Sequence, residues 1–196
     1  NRPYALAKIA GIEMCWSYNR QYPQGTGFLA AMPTNLYGPG DNYHPTQSHV
    51  IPGLLRRFHD AKLNSADSVA IWGTGKVRRE FMLVDDMAKA CIALLELPQA
   101  TWEALLARDR NDGIAPLINI GPGIDVTIAE LAKLIAQVVG FDGKITYDPT
   151  KPDGTPRKLM NNARLRAFYS APFVPLKEGL QLAYKDFLTN FNTLRT

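Results

Sequence analysis

A tyrosine and a lysine close together in the sequence could form a proton donor. Tyr4 and Lys8 stand at positions i and i+4, which share one face of an α-helix. A lysine ammonium beside a tyrosine stabilises the phenolate, which favours general acid-base catalysis by the phenol. The same spacing often arises by chance, so the pattern taken alone more often marks an ordinary, half-exposed pair.

A set of cations is placed where it could bind phosphate. Its members lie in or beside three separate loop or helix-end segments: Arg56, Arg57, Arg78, Arg79, Arg157 and Lys158. The planar fork of arginine donates two hydrogen bonds to one anionic group, which suits a pyrophosphate. The alternative, a solvated basic surface, explains the cations alone equally well.

The composition argues against several classes of protein. The chain has 196 residues, a formal net charge of +4 and 46% hydrophobic residues, which is enough apolar material for a core. Acidic residues are interspersed among the basic ones and there is no basic tract, which argues against a nucleic-acid partner, and no apolar run is long enough to predict a membrane span. Cys15 and Cys91 stand in apolar helical contexts without metal-binding spacing, so we expect no metal site and a cytoplasmic protein.

Alternating helical and strand-like segments predict an α/β fold. Residues 4–21 have helical periodicity, and the apolar run 28–32 is typical of a strand buried on both faces of a parallel sheet. Residues 33–42 are rich in Pro, Gly and Asn, and we expect a loop there. In a doubly wound sheet, ligands bind beyond the carboxyl ends of the strands, so this loop is placed to line a site.

The same pattern continues along the rest of the chain. Helices are predicted over about 50–59, 86–97, 127–139 and 178–191, with another within 99–115. Strand-like runs occupy 69–72, 80–84 and 117–121. Asp85 is a candidate N-cap, and Thr127 with Glu130 predicts a capping box.

Three motifs, in this order, resemble the extended short-chain dehydrogenase/reductase family of sugar-nucleotide enzymes. They are Tyr4-x-x-x-Lys8, the segment 32–39 (Met-Pro-Thr-Asn-Leu-Tyr-Gly-Pro), and Arg79-Glu80-Phe81-x-x-Val84-Asp85-Asp86. Within the family, the stretches 35–59 and 151–158 are similar to enzymes that convert GDP-4-keto-6-deoxy-D-mannose to GDP-L-fucose by epimerisation and 4-keto reduction. The likeness covers nearly the whole chain.

The resemblance implies a fold, a cofactor and partners. It implies the C-terminal portion of an NAD(P)-binding, Rossmann-like doubly wound sheet plus a smaller α/β substrate-binding lobe. Residues 1–38 and 79–124 would belong to the sheet, and residues 39–78 and 125–196 to the lobe that binds the GDP-sugar. NADP(H) would be the cofactor, and the intact protein would form a homodimer.

The resemblance also implies catalytic roles. Tyr4 would donate a proton to the keto oxygen of the sugar as hydride arrives, and Lys8 would hold the nicotinamide ribose. His49 would be a general acid in the epimerisations, although a histidine before an apolar helix is more often a cap or a packed ring. The cofactor-binding set would be Tyr4, Lys8, Pro33, Thr34, Asn35, Leu36 and His49.

A further group of residues would bind the substrate. Asn35 would lie near the sugar, while Trp72 would stack or pack against the GDP portion. The remaining substrate-binding candidates are Arg57, Arg79, Lys158 and, less strongly supported, Asp153.

Part of the family pattern has no match in this sequence. Family members have a Gly-rich turn, a catalytic serine and a second acid-base cysteine before the tyrosine, and Cys15 and Cys91 do not match that cysteine. We therefore expect a C-terminal fragment of a longer or split protein, inactive as a reductase by itself. Two alternatives remain open: another sugar-nucleotide epimerase or dehydratase of the same family, or a non-catalytic GDP-sugar-binding fragment.

Overall fold

The structure, a computed structural model, describes residues 2–24 and 27–190 and has mixed α/β architecture. Its helices are α1 (Arg2–Gln21), α2 (Val50–Leu63), α3 (Val84–Leu95), α4 (Gln99–Asp112), α5 (Ile128–Val139), α6 (Ala163–Arg166) and α7 (Leu176–Asn190). Its strands are β1 (Ala30–Pro33), β2 (Asn35–Tyr37), β3 (Ser68–Trp72), β4 (Arg78–Leu83), β5 (Leu117–Ile120), β6 (Asp125–Thr127), β7 (Lys144–Asp148) and β8 (Arg157–Lys158). The predicted α/β class is therefore confirmed.

The chain divides into two compact units, each assembled from three segments. Unit 1 comprises Asn1–Pro33, Ala88–Ile120 and Asn161–Ala171, and unit 2 comprises Thr34–Met87, Gly121–Met160 and Pro172–Thr196. The units differ from the sequence-based division in two ways: residues 161–171, expected in the substrate lobe, join unit 1 because α6 packs on β5, and residues 34–38, 79–87 and 121–124, expected in the sheet, join unit 2. Which unit binds which ligand stays a prediction.

Unit 1 is built around the parallel pair of β1 and β5, with Ala30 opposite Leu117. Asn19 ties the end of α1 to the segment before β1, since its amide donates to the Phe28 carbonyl oxygen at 2.7 Å and accepts from the Phe28 N–H at 2.8 Å. The prediction that the first strand is buried on both faces is wrong, because Ala31 to Pro33 are exposed. Within the described residues, β5 is the one strand that pairs with β1.

Unit 2 contains the larger core. Strand β4 pairs with β2, β6 and β8, while β3 and β7 form a separate parallel pair. Helices α2, α5 and α7 contribute side chains with no exposed surface, among them Leu55, Phe58, Leu131, Leu180 and Phe187. This continuous core supports the strand ends that border the candidate site.

The expected loop over 33–42 is wrong in part, because Asn35–Tyr37 forms strand β2. It pairs in parallel with Phe81–Leu83 of β4, and Tyr37 is buried in the core. Pairing with a strand far away in sequence satisfies the backbone of a segment whose local composition favours a loop. The loop predicted from the Pro- and Gly-rich composition is therefore present only in the part of the segment after Tyr37.

Helix boundaries follow the predicted signals with two exceptions: α2, predicted to end at His59, continues to Leu63, and Asp85 does not cap α3. The Thr127–Glu130 capping box is present, since the Glu130 N–H donates to Thr127 Oγ1 at 3.0 Å and the Thr127 N–H donates to Glu130 Oε2 at 2.7 Å. Asp85 is not an N-cap, because α3 already begins at Val84 and Asp85 lies in its first turn, where a carboxylate complements the helix dipole. The predicted end of the last helix at Phe191 falls outside the described residues.

Across residues 2–24 and 27–190, no helix combines the length and apolar character needed to cross a membrane.

Candidate functional site

Unit 2 contains a cleft of about 400 Å³ that brings together six of the residues predicted from the sequence. They come from five parts of the unit: the end of β3, the start of β4, the beginning of β2, helix α2 with the residue before it, and the loop before β8. These six are Asn35, His49, Arg57, Trp72, Arg79 and Asp153. Residues separated by more than 100 positions in sequence thus border one concave surface.

Trp72, the last residue of β3, presents an aromatic surface in this cleft, with 63% of the residue exposed. The guanidinium carbon of Arg57 lies 5.8 Å from the indole ring centroid, and the ammonium nitrogen of Lys151 lies 5.9 Å from it. Arg57 Nη1 also donates to the Ala70 carbonyl oxygen at 3.0 Å, and burial lowers the pKa of Arg57 from its usual high value. An exposed indole beside two cations suits a ligand that carries both an aromatic base and anionic groups.

Arg79 is held at the edge of the cleft by backbone carbonyls. Its Nη1 donates to the carbonyl oxygens of Arg78 at 2.7 Å and Thr155 at 2.6 Å. Lys158 does not line the cleft, but it pairs with Arg79 in the parallel register of β8 on β4. The two cations are therefore neighbours across a strand pair.

The other three cations of the predicted set are paired with carboxylates of the protein, Arg78 and Arg157 with Asp125 and Arg56 with Asp60. The guanidinium groups of Arg78 and Arg157 both donate to the buried carboxylate of Asp125, which joins β4, β6 and β8. These hydrogen bonds, with that of Arg157 first, hold the pKa of Asp125 below its usual range. Arg56 Nη1 donates to the Tyr43 carbonyl oxygen at 2.8 Å. The candidates for binding phosphate are therefore reduced to Arg57, Arg79 and Lys158.

His49 is exposed and precedes α2. Its backbone occupies the N-cap position with φ −70° and ψ 170°, but its side chain makes no capping hydrogen bond. The imidazole is part of the cleft lining, and its ring is not packed in the core. His49 is therefore neither a side-chain cap nor a ring packed in the core, which are the more frequent roles of a histidine before an apolar helix.

Thr34 and Asn35 are oriented by the backbone of Glu80. The Asn35 amide donates to the Glu80 carbonyl oxygen at 2.8 Å, and the Thr34 hydroxyl donates to the same oxygen at 3.1 Å. The Glu80 side chain has no exposed surface, and its carboxylate accepts from the N–H groups of Gly123 at 2.6 Å and Met160 at 3.1 Å. Leu36 is half-buried in β2 and does not line the cleft.

Tyr4, Lys8 and Pro33 belong to unit 1. The Lys8 ammonium lies 5.5 Å from the centroid of the Tyr4 ring, and 60% of Tyr4 is exposed. The helical pairing predicted from the spacing is therefore present on an accessible face of α1. A phenol beside an ammonium on an exposed helix face is an arrangement that can serve in general acid-base catalysis.

Sequence reasoning missed several residues of the cleft and its supports. Lys151 and Thr74 were not among the predicted site residues, although the Lys151 ammonium lies on the Trp72 ring and Thr74 donates to Asp153. Glu80 carries a signal that could have found it, because an acid within the apolar run 80–84 must be paired or hydrogen-bonded when buried. Among the described residues, no group of three or more His, Cys, Asp or Glu side chains could hold a metal ion.

Comparison with known proteins first defines the class. Residues 1–105 match the model of the NAD dependent epimerase/dehydratase family, and the chain belongs to this family. The family resemblance and the Rossmann-like α/β fold class expected from the motifs are confirmed.

Individual relatives are more specific. The chain is 49% identical over 195 residues to GDP-L-fucose synthase of Escherichia coli (strain K12), which covers 100% of this chain and 59% of that protein. It resembles the crystal structure of a GDP-L-fucose synthetase from Naegleria fowleri bound to NADP, with a TM-score of 0.80, 25% identity, and coverage of 98% of this chain and 57% of that one. It also resembles a GDP-6-OMe-4-keto-L-xylo-heptose reductase from C. jejuni, with a TM-score of 0.79, 34% identity, and coverage of 94% and 60%. The chain thus spans less than two thirds of each relative.

The turn after Trp72 gives a test of the cleft geometry. Gly73 and Gly40 have nearly the same positive φ, 77° and 76°, but a Cβ on Gly73 would clash with Asp153 Oδ1, whereas a Cβ on Gly40 would meet no atom within 4 Å. We expect Gly40→Ala to cost about 1–2 kcal/mol of unfolding free energy from backbone strain alone. Gly73→Ala should cost more because it also displaces the Asp153 carboxylate. Urea denaturation of both variants measures the difference, and equal costs would contradict the described contact.

Proposed function

We propose that the protein containing this chain converts GDP-4-keto-6-deoxy-D-mannose to GDP-L-fucose with NADPH, and that the cleft of unit 2 binds the GDP portion of the substrate. The observation that carries the proposal is the convergence of Asn35, His49, Arg57, Trp72, Arg79 and Asp153 on one cleft. The names of the relatives from Escherichia coli and Naegleria fowleri support it.

Trp72, Arg57 and Arg79 would divide the recognition of the nucleotide. The exposed indole of Trp72 offers a surface on which a guanine ring can stack, and Arg57 lies against its ring. Arg79 and its strand neighbour Lys158 would bind the diphosphate, because adjacent cations neutralise adjacent anionic groups. Lys151, on the Trp72 ring, would add a further positive charge.

The proposed catalytic roles fall to Tyr4, Lys8 and His49. NADPH supplies the hydride when it is bound. Tyr4 would give its phenolic proton to the keto oxygen of the sugar, and Lys8 would stabilise the resulting phenolate. His49 would exchange protons at the carbons alpha to the ketone, for which an exposed imidazole that caps no helix N–H is available. Asn35, oriented by Glu80, would line the sugar and nicotinamide, and Pro33, Thr34 and Leu36 would complete the cofactor side.

A second candidate function is the reduction of a different GDP-linked keto-sugar. The C. jejuni relative is named as a GDP-6-OMe-4-keto-L-xylo-heptose reductase and is 34% identical to this chain. Both candidates use the same GDP subsite and differ in the sugar that is consumed. The proposal also includes a homodimer in the intact protein.

Calorimetric titration of the chain with GDP tests the nucleotide subsite. We expect Trp72→Ala to weaken GDP binding about 10-fold or more, because stacking of one base contributes roughly 1–3 kcal/mol. Trp102→Phe is the matched control, since Trp102 belongs to unit 1, and its affinity for GDP should stay unchanged. Loss of affinity in the control, or unchanged affinity in Trp72→Ala, would place the nucleotide elsewhere.

Hydrogen exchange in the intact protein separates the two catalytic roles. In D₂O with the keto-sugar, Tyr4→Phe should still exchange the protons alpha to the ketone but should reduce the sugar roughly 10²–10⁴-fold more slowly. His49→Asn should lose the exchange instead. Mass spectrometry of the recovered sugar measures deuterium uptake, and NADPH absorbance measures reduction. If Tyr4→Phe abolished exchange and His49→Asn spared it, the assigned roles would be wrong.

A further inference from the structure

The loop between β2 and α2 contains two histidines in different environments. His49 lines the cleft, and its imidazole makes no capping hydrogen bond. His44 does not line the cleft, and its imidazole is hydrogen-bonded within the loop. The loop itself borders the cleft, because Pro45, Thr46 and Ser48 line it together with His49. His44 therefore bonds to the short segment that leads to His49.

The His44 ring closes a tight turn. Its Nδ1 accepts from the backbone N–H of Thr46 at 3.2 Å and from that of Gln47 at 3.2 Å. Pro45 has no N–H, so these are the first two donors that follow His44 in the chain. Asn42 braces the same turn, because its Oδ1 accepts from the His44 N–H at 3.0 Å and its Nδ2 donates to the Gln47 carbonyl oxygen at 3.3 Å.

These hydrogen bonds determine which ring nitrogen of His44 carries the proton. A backbone N–H can only donate, so Nδ1 accepts with its lone pair and the ring proton lies on Nε2. An imidazolium has a proton on both nitrogens and would offer no acceptor to Thr46 and Gln47. The role of His44 in the turn thus differs from proton exchange, which requires a ring that is free to gain and lose a proton.

The chain is anchored on both sides of the turn. Tyr43 is buried, and its hydroxyl donates to the Ala183 carbonyl oxygen at 3.2 Å. Ile51, in the first turn of α2, is buried in the same core. Between these anchors, the course of the backbone depends on the turn that His44 closes, and the place of His49 depends on it too.

We propose that His44 is a positioning residue for the proton exchange assigned to His49. Its Nδ1 holds the turn over residues 44–47, and the turn places the His49 imidazole at the sugar. This inference rests on the proposed function, in which His49 exchanges protons at the carbons alpha to the ketone. His44 makes no contact with the substrate. Trp72 and Arg79, which would bind the nucleotide, lie on β3 and β4 and do not depend on the turn.

Two amide side chains of different length separate this role from others. In His44→Asn, Oδ1 is as many bonds from the backbone as the histidine Nδ1, and an asparagine accepts from the N–H two residues on, as in an Asx turn. His44→Gln carries the same amide one methylene further out, where its oxygen does not match Nδ1. Neither amide can exchange a proton with a carbon, so proton transfer by His44 itself would be lost in both variants.

Deuterium uptake by the keto-sugar in D₂O, measured by mass spectrometry on the intact protein, gives the outcome. We expect His44→Asn to exchange within about threefold of the unaltered protein, and His44→Gln to exchange about 10-fold more slowly. Calorimetric titration should show that both variants bind GDP within about threefold of the unaltered protein, because the nucleotide subsite lies on other elements. A long-range ¹H–¹⁵N spectrum of the unaltered protein should place the His44 ring proton on Nε2.

Four results would overturn the inference while leaving the proposed function intact. They are a His44→Asn variant as slow as His44→Gln, a His44→Gln variant as fast as the unaltered protein, equal losses of exchange and GDP affinity in His44→Gln, and a ring proton on Nδ1 of His44. The spectrum decides even if a variant does not fold. A failure of the proposed function is distinct: no deuterium uptake with the unaltered protein, or full uptake with His49→Asn, would refute the role of His49 and this inference with it.

Discussion

The buried carboxylate of Glu80 is the constraint on which the part of unit 2 that borders the cleft depends. It accepts hydrogen bonds from Gly123 and Met160, while the backbone carbonyl of the same residue accepts from Thr34 and Asn35. A Cβ on Gly121 would lie 2.5 Å from Glu80 Oε1, so the chain after β5 must come this close with a glycine. A fully buried acid is costly unless donors surround it, and here backbone N–H groups from two distant segments provide them. Strand β4 thereby positions both Asn35 and its own Arg79.

The cations of unit 2 divide into those paired with carboxylates and those, Arg57 and Arg79, whose described hydrogen bonds go to backbone carbonyl oxygens. Asp125 engages Arg78 and Arg157 and so aligns β8 with β4, which places Lys158 opposite Arg79. The structural ion pairs thus set the register that the proposed ligand-binding cations need. A local excess of positive charge then remains near Trp72 and along the Arg79 edge of the cleft. Charge complementarity to a nucleotide diphosphate follows from this division, although the net charge of the chain is only +4.

Much of the fold and most of the cleft could be predicted from the sequence, for identifiable physical reasons. Helices with strong local signals, such as the capping box at Thr127, form where expected because their determinants lie within four residues. Strand β2 was missed because its stability comes from pairing with β4, which local composition does not encode. The prediction that β1 is buried was wrong because a continuous apolar run indicates a strand but does not indicate which elements cover it.

Motifs in the sequence predicted which residues line the cleft, but they did not predict the contacts that these residues make. Alternation along β4 directs the side chains of Arg78 and Arg79 to opposite faces. The sequence does not show which of the two faces meets Asp125 and which borders the cleft. The substrate-binding role of Asp153 stays a prediction, but the hydrogen bonds of its carboxylate with Thr74, 79 positions away in sequence, were not predicted. Such long-range hydrogen bonds depend on how the loops meet, which only the folded chain specifies.

The measurement that tests the central claim most directly is a ¹⁵N–¹H spectrum of the tryptophan indoles during titration with GDP. The chain has three tryptophans, so three indole N–H signals report on separate places. The account predicts that the signal of Trp72 shifts with the added nucleotide while those of Trp16 and Trp102 stay in place. A saturable shift of Trp16 or Trp102 with an unchanged Trp72 signal would contradict the assignment of the unit 2 cleft as the GDP subsite.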